Sequence, residues 1–184
     1  MSMPLDQRAF RDAIGMFATG VSVIVTQVGS EVHAMTANAV SSVSLDPMLV
    51  LFCAAKKAKL ARNLHEVKEF SINFLRSDQY ALSTYFAGRW QDAVPPPYRL
   101  VAFEGALRLE GCLAALACET GRIIDGGDHW VTIGRVVALH QGIPPHKPLL
   151  FYGGRYRDID FSDSRPAPDL SDVVDEPAHV FYGE

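Results

Sequence analysis

The apolar positions of this chain change their period several times between the N-terminus and residue 157. Phe10, Ile14 and Phe17 recur at helical spacing, with Ala13 beside them and Arg11 and Asp12 facing away; they predict a first helix that Gly20 closes. Residues 21–28 are rich in β-branched side chains and predict a strand, and Gly29-Ser30 marks a hairpin-like break. The segment 32–45 reads as one extended stretch whose polar residues are small: Thr36, Asn38, Ser41, Ser42 and Ser44. Asp46-Pro47 then turns the chain into 48–55, a continuous apolar run that predicts a strand buried on both faces.

Leu60, Leu64 and Val67, spaced i, i+4, i+7 behind the cluster Lys56, Lys57 and Lys59, predict a second helix. Phe70, Ile72 and Phe74 alternate with Ser71 and Asn73, the pattern of a half-buried strand. Ser77 is placed to cap a third helix that carries Leu82, Tyr85 and Phe86 and stops at Gly88. Pro95 to Pro97 exclude regular structure. Extended segments return at 103–109 and 112–120, the turn Asp125-Gly126-Gly127-Asp128 leads into a strand at 129–139, and 149–156 is the last. About seven strands with three short helices among them do not alternate as βαβ units, so the fold class expected is mainly β: an antiparallel barrel or sandwich with a few peripheral helices. Residues 1–157 form the expected domain. Residues 158–184, rich in aspartate and broken by Pro166, Pro168 and Pro177, form an acidic C-terminal tail with little expected order, although its Val180-Phe181-Tyr182 end is suited to docking on a surface.

Composition narrows the function. The chain has 184 residues, 48% hydrophobic and 21% charged, enough to bury one core. A net charge of -4 excludes a general nucleic-acid binder, which needs a basic face. Cys53, Cys112 and Cys118 form no C-x-x-C pair, which fits a reducing compartment. Asp6, Arg8 and Arg11 interrupt the first residues, unlike a signal peptide, and no run reaches the roughly 18 apolar residues of a membrane span. A soluble cytoplasmic protein without membrane contact is expected.

Several chemistries lack their residues. The histidines (His33, His65, His129, His140, His146 and His179) are scattered without ligand spacing, so no metal is expected. There is no G-x-S-x-G elbow and no Walker A loop, and Gly126-Gly127 is too short for a dinucleotide fingerprint. A nicotinamide cofactor, if used, is therefore not held by a Rossmann unit. What remains suits a flat polar ring and a phosphate. Thr36, Ala37 and Asn38 offer small side chains and one amide with both donors and an acceptor, and Ser41 and Ser42 add hydroxyls; the alternative is a serine-rich strand beside water. Lys57 and Lys59 at a helix start would make an anion site, or else a solvated charge cluster. His129 begins a strand at the rim, as a site residue or a structural one. Arg89 is a candidate phosphate partner of a common exposed type.

In their order and spacing, several segments resemble the flavin reductase family with the FMN-binding split-barrel fold, which includes the reductase components of two-component flavin monooxygenases. They are Phe10-Arg-Asp-Ala-Ile-Gly-Met-Phe-Ala-Thr-Gly-Val-Ser-Val, Met35-Thr-Ala-Asn-Ala-Val-Ser-Ser-Val-Ser-Leu-Asp-Pro47, Phe70-Ser-Ile-Asn-Phe-Leu75, Phe86-Ala-Gly-Arg89, Gly126-Gly-Asp-His129, Ile133-Gly-Arg-Val136 and Leu149-Leu-Phe-Tyr-Gly-Gly-Arg-Tyr156. The resemblance covers about residues 8–157. It implies an antiparallel split barrel and a homodimer with FMN or FAD near the interface. NADH or NADPH would be the hydride donor and a monooxygenase a possible acceptor of reduced flavin. By the same resemblance Thr36, Ala37, Asn38, Ser41 and Ser42 contact the flavin, Cys53, Ala54 and Ala55 line its ring, and His129 lies beside flavin and nicotinamide as the catalytic-site residue, positioning rather than exchanging protons. Where many relatives carry serine and threonine in the phosphate loop, this chain has Lys57, Lys59 and Leu60, so charge would replace hydroxyls. Two other functions share the fold: a flavin-bound enzyme acting on its own organic substrate, and a non-enzymatic binding module.

Overall fold

The computed structural model describes residues 5–143, 147–160 and 162. In chain order its elements are α1 (Gln7–Ile14), β1 (Thr19–Gly20), β2 (Ser22–Val28), β3 (Glu31–Ala37), β4 (Val40–Leu45), β5 (Met48–Ala55), α2 (Lys59–Arg62), β6 (Glu69–Phe74), α3 (Tyr80–Phe86), β7 (Leu100–Phe103), β8 (Ala106–Leu109), β9 (Ala114–Gly126), β10 (His129–Gln141), β11 (Leu150–Tyr152) and β12 (Arg155–Arg157). The fold is mainly β with peripheral helices, and the paired strands run antiparallel.

Seven strands form one sheet in the order β3-β2-β6-β9-β10-β5-β4. Its two edges, β3 and β4, are consecutive in the chain and separated by Asn38 and Ala39 alone. A link that short spans only a few ångströms, so the sheet must curl until its edges meet at one end. The β7–β8 hairpin and the small β1-β11-β12 sheet pack outside this main sheet.

Two apolar clusters lie on the two faces of the central strands. Ile24, Phe52, Leu64, Phe70 and Ile72 fill one, where the Phe52 and Phe70 rings meet edge to face at 5.0 Å. Val21, Val23, Val25, Leu75, Leu109 and Leu149 fill the other. The absent side chain of Gly134 matters here, because a methyl group on it would overlap the Phe70 ring.

Several elements depart from the pattern along the chain. The first helix has the expected period, but Asp6 caps it, it ends at Ile14 with Gly15 as C-cap, and Gly20 belongs to β1. Its Phe10 and Ile14, with Phe17 just beyond, are exposed. The segment 32–45 is two strands broken at Asn38-Ala39. The strand β5 buries one face only (Val50, Phe52, Ala54), leaving Leu49, Leu51, Cys53 and Ala55 half-buried. The strand β6 does the reverse: Ser71 and Asn73 are as buried as Phe70 and Ile72, because β8 covers them and bonds their polar atoms. The second helix is one α-turn, α2, followed by a 3-10 turn at Leu64–Glu66. Ser77 starts a separate 3-10 turn, Ser77–Gln79, and does not cap α3. Segments 103–109 and 149–156 both fall within hairpins, the second folding at Gly153-Gly154 into β11 and β12. The C-terminal Val180-Phe181-Tyr182 lies outside the described residues.

Candidate functional site

The site grows from the corner where the sheet edges meet. Ala37 ends β3 buried, and Asn38 and Ala39 are exposed. The Ala39 carbonyl accepts the Cys53 N–H at 3.0 Å, which fixes the corner against β5. Beyond it Ser41 and Ser42 pair with Leu51 and Val50 and remain exposed. On the other side of β5, Cys53, Ala54 and Ala55 pair with Val131, Trp130 and His129 of β10. The predicted Asn38, Ser41, Ser42, Cys53–Ala55 and His129 therefore belong to one adjoining run of strands.

Small residues line this run: Ala39 is exposed, Cys53 and Ala55 are half-buried, and the Asn38 amide makes no side-chain hydrogen bond among the described residues. An open amide beside such small side chains fits a flat heteroaromatic ring that needs both a donor and an acceptor at its edge.

At the end of β5 the β9–β10 turn is clamped by Lys56. Its N–H donates to the Asp128 carbonyl at 2.9 Å, its Nζ reaches the Asp125 carboxylate at 2.7 Å, and the same ammonium sits 4.5 Å from the centre of the Trp130 ring. Gly127 takes φ +79° and donates its N–H to Asp125 Oδ1 at 2.9 Å. The Lys56 hydrogen bond, then the Gly127 N–H, hold the Asp125 carboxyl below the usual aspartate range. His129 Nδ1 lies 2.7 Å from Asp128 Oδ1, and that hydrogen bond lowers the Asp128 carboxyl likewise. Lys57 and Lys59 stay exposed beside the turn. With only four residues in α2 and no side-chain cap at Ala58, anion attraction there rests on the ammonium groups rather than on a helix dipole.

A cleft of about 520 Å³ opens between β3, α3 and β12, with Thr36, Asn38, Arg89, Phe151, Arg155 and Tyr156 on its walls. Thr36 Oγ1 donates to the Ser83 carbonyl at 2.7 Å, which ties β3 to α3, and Ser83 Oγ lies 2.8 Å from the Tyr156 hydroxyl. Thr36 and Arg89 thus fall in this cleft, Lys57, Lys59 and His129 at the far end, and Asn38 between them.

Arg155, Tyr156 and the clamping role of Lys56 were not singled out by residue type. Arg155 and Tyr156 fall in a segment that carries the resemblance, but a lone arginine or tyrosine in a hairpin carries no chemical signature. The thiols are not nucleophiles near neutral pH: burial pushes Cys118 up to about 12 and raises Cys53 and Cys112. Among the described residues no three His, Cys, Asp or Glu side chains gather as metal ligands, and no helix is long and apolar enough to cross a membrane.

Comparison with known proteins gives consistent matches. Residues 14–160 match the family described as "Flavin reductase like domain". An NADH-dependent flavin reductase of a Rhodococcus species is 39% identical over 153 residues, covering 82% of this chain and 85% of the relative. The reductase component of 4-hydroxyphenylacetate 3-monooxygenase from Thermus thermophilus is 36% identical, covering 83% of this chain and 97% of the relative. Among solved structures, the NADH:FAD oxidoreductase of Streptomyces globisporus in complex with NAD and FAD fragments superposes with a TM-score of 0.78 at 33% identity. It covers 89% of this chain and 100% of that one.

Proposed function

The chain belongs to the flavin reductase-like domain family, and from that premise we propose how its site performs the family's reaction. The protein is an oxidoreductase, a flavin reductase that takes hydride from a reduced nicotinamide and passes reduced flavin or its electrons to a partner such as a monooxygenase. The observation that carries this is the Asn38 corner: an amide with no side-chain hydrogen bond among the described residues, beside small alanine and cysteine side chains and pinned to β5 through Ala39 and Cys53.

A bound FMN or FAD supplies the redox chemistry. The chain binds and orients. Thr36 and Asn38 meet the polar edge of the ring, Ser41 and Ser42 lie beside it, and Cys53 and Ala55 form the surface against which it lies. The expected Ala37 and Ala54 turn their side chains into the core and back the site from behind. Lys57 and Lys59 attract the flavin phosphate as point charges, and Arg89 holds an anion at the opposite end. Asp128 favours the His129 tautomer that carries its proton on Nδ1, leaving Nε2 free to position the nicotinamide. NADH is the donor that the relatives' names support.

In this proposal two copies pair, supported by the exposed Phe10, Ile14 and Phe17 and by the half-buried second face of β5. The sheet edges that meet at Asn38 support a split barrel. Three unpaired cysteines support a cytoplasmic location. Reduced-nicotinamide oxidation followed with added FMN or FAD tests the function. The His129→Ala variant should raise the KM for NADH or lower kcat, whereas unchanged values of both would remove His129 from the site.

A further inference from the structure

Ser83 lies on α3, completely buried, and holds two walls of the cleft by different atoms. Its backbone carbonyl accepts the Thr36 hydroxyl at 2.7 Å, and its Oγ lies 2.8 Å from the Tyr156 hydroxyl. A carbonyl cannot donate, so the Thr36 proton is committed to Ser83, and Thr36 Oγ1 offers the cleft an acceptor only. The second contact has a direction too. Thr84, the next residue on α3, donates back to the Tyr80 carbonyl at 3.1 Å, whereas Ser83 Oγ has Tyr156 as its one side-chain partner among the described residues. A buried hydroxyl proton without an acceptor is costly, so Ser83 donates and Tyr156 accepts. The Tyr156 proton is then left for the cleft, onto which that residue opens, 39% exposed.

The polar groups on these walls then have assigned roles. Asn38 offers an amide donor, Thr36 an acceptor and Tyr156 a second donor, and all three line the one cleft. Two donors and one acceptor are the complement of an imide edge, in which two carbonyls flank one N–H, and the pyrimidine ring of a flavin carries such an edge. Tyr156 is not free to turn away. Its ring meets Phe151 edge-on at 5.8 Å and Tyr80 at 6.3 Å, and the hairpin that carries it is anchored by the Gly153 N–H on the Gly15 carbonyl at 2.8 Å. We propose that Ser83 is a positioning residue of the flavin site, making Thr36 an acceptor for the imide N–H and Tyr156 a donor to a flanking carbonyl. It acts through those two side chains and not on the ligand. The inference rests on the flavin reductase function and deepens it by giving each wall a hydrogen-bond polarity.

The full-length protein is titrated by flavin fluorescence with FMN and with FMN methylated at its imide nitrogen, for wild type, Ser83→Ala, Tyr156→Phe, the double variant, Thr36→Val and Thr36→Ser. Ser83→Ala and Tyr156→Phe should each weaken FMN about threefold to tenfold, the range of a single hydrogen bond. The double variant should bind no more weakly than Tyr156→Phe alone, because Ser83 works through Tyr156; a merely structural Ser83 would give losses that multiply. Should Ser83→Ala not fold, Tyr156→Phe removes the same hydrogen bond from its exposed side. Thr36→Val should weaken FMN and narrow its advantage over the methylated flavin, and Thr36→Ser should restore both. The proposal is overturned if the losses multiply in the double variant, if Tyr156→Phe or a folded Ser83→Ala protein binds FMN as wild type does, or if Thr36→Val leaves that advantage as it was. Failure of the parent function looks different: a wild type that binds neither flavin and oxidises no NADH with FMN added.

Discussion

Asn73 is completely buried, and its amide serves three elements at once: Nδ2 donates to the Val23 carbonyl at 3.0 Å and to Ser71 Oγ at 2.8 Å, while Oδ1 accepts the Leu109 N–H at 2.8 Å. Asn73→Ala leaves the Leu109 N–H without its acceptor away from water. Chemical denaturation should show a loss of about 1–3 kcal/mol. Asp125 and Asp128 allow a sharper measurement. Both carboxyls are held low in the folded protein, so what they contribute is present above the unfolded aspartate value of about 3.9 and is lost as pH falls through the lower folded values. Carboxyl carbon NMR should place both midpoints below that of free aspartate. The Lys56→Ala variant should move Asp125 upward while Asp128, whose main partner is His129, moves little. Equal midpoints in wild type and variant would mean that the clamp is not formed in solution.

At the scale of elements, Lys56 joins the end of β5 to the β9–β10 turn by a backbone bond, an ion pair and a contact over Trp130. Removing its side chain should loosen the turn that presents His129 and raise the KM for NADH several-fold, with a smaller effect on thermal stability, since an exposed ion pair contributes little. Gly134→Ala acts on the other contact of β10. Its methyl would meet the Phe70 ring, and the Glu119 carbonyl stands 3.0 Å away, so destabilisation of about 1–3 kcal/mol is expected in thermal melts.

Pattern carried the element types well: spacing shows the first helix, β-branched content β2, an unbroken apolar run β5, alternation β6, and the glycine turn before it the long β10. Burial was less legible, because it depends on what crosses over a strand. Ser71 and Asn73 look solvent-facing until β8 lies on them, and the unbroken apolar run of β5 looks doubly buried although one of its faces is only half covered. The site divides in the same way. Asn38, Ser41, Ser42 and His129 carry distinctive chemistry at distinctive places. Arg155 and Tyr156 acquire meaning only when the hairpin at Gly153-Gly154 brings them to the cleft.

Across the whole molecule, two apolar clusters back the sheet while the Asn38 corner, the Lys56 clamp and the arginine cleft share its open end. Burial keeps the thiols protonated, with Cys118 pushed up to about 12. A thiol reagent at pH 8 should therefore leave Cys112 and Cys118 unmodified in the folded protein and label all three cysteines after unfolding. The claim on which the rest depends is that the Asn38 corner holds the flavin ring. Fluorescence titration of FMN and FAD against wild type and Asn38→Leu tests it most directly. Both flavins should be quenched by the wild type, and the variant, keeping its thermal midpoint, should bind them at least about tenfold more weakly; equal affinity for wild type and a folded Asn38→Leu protein would contradict it.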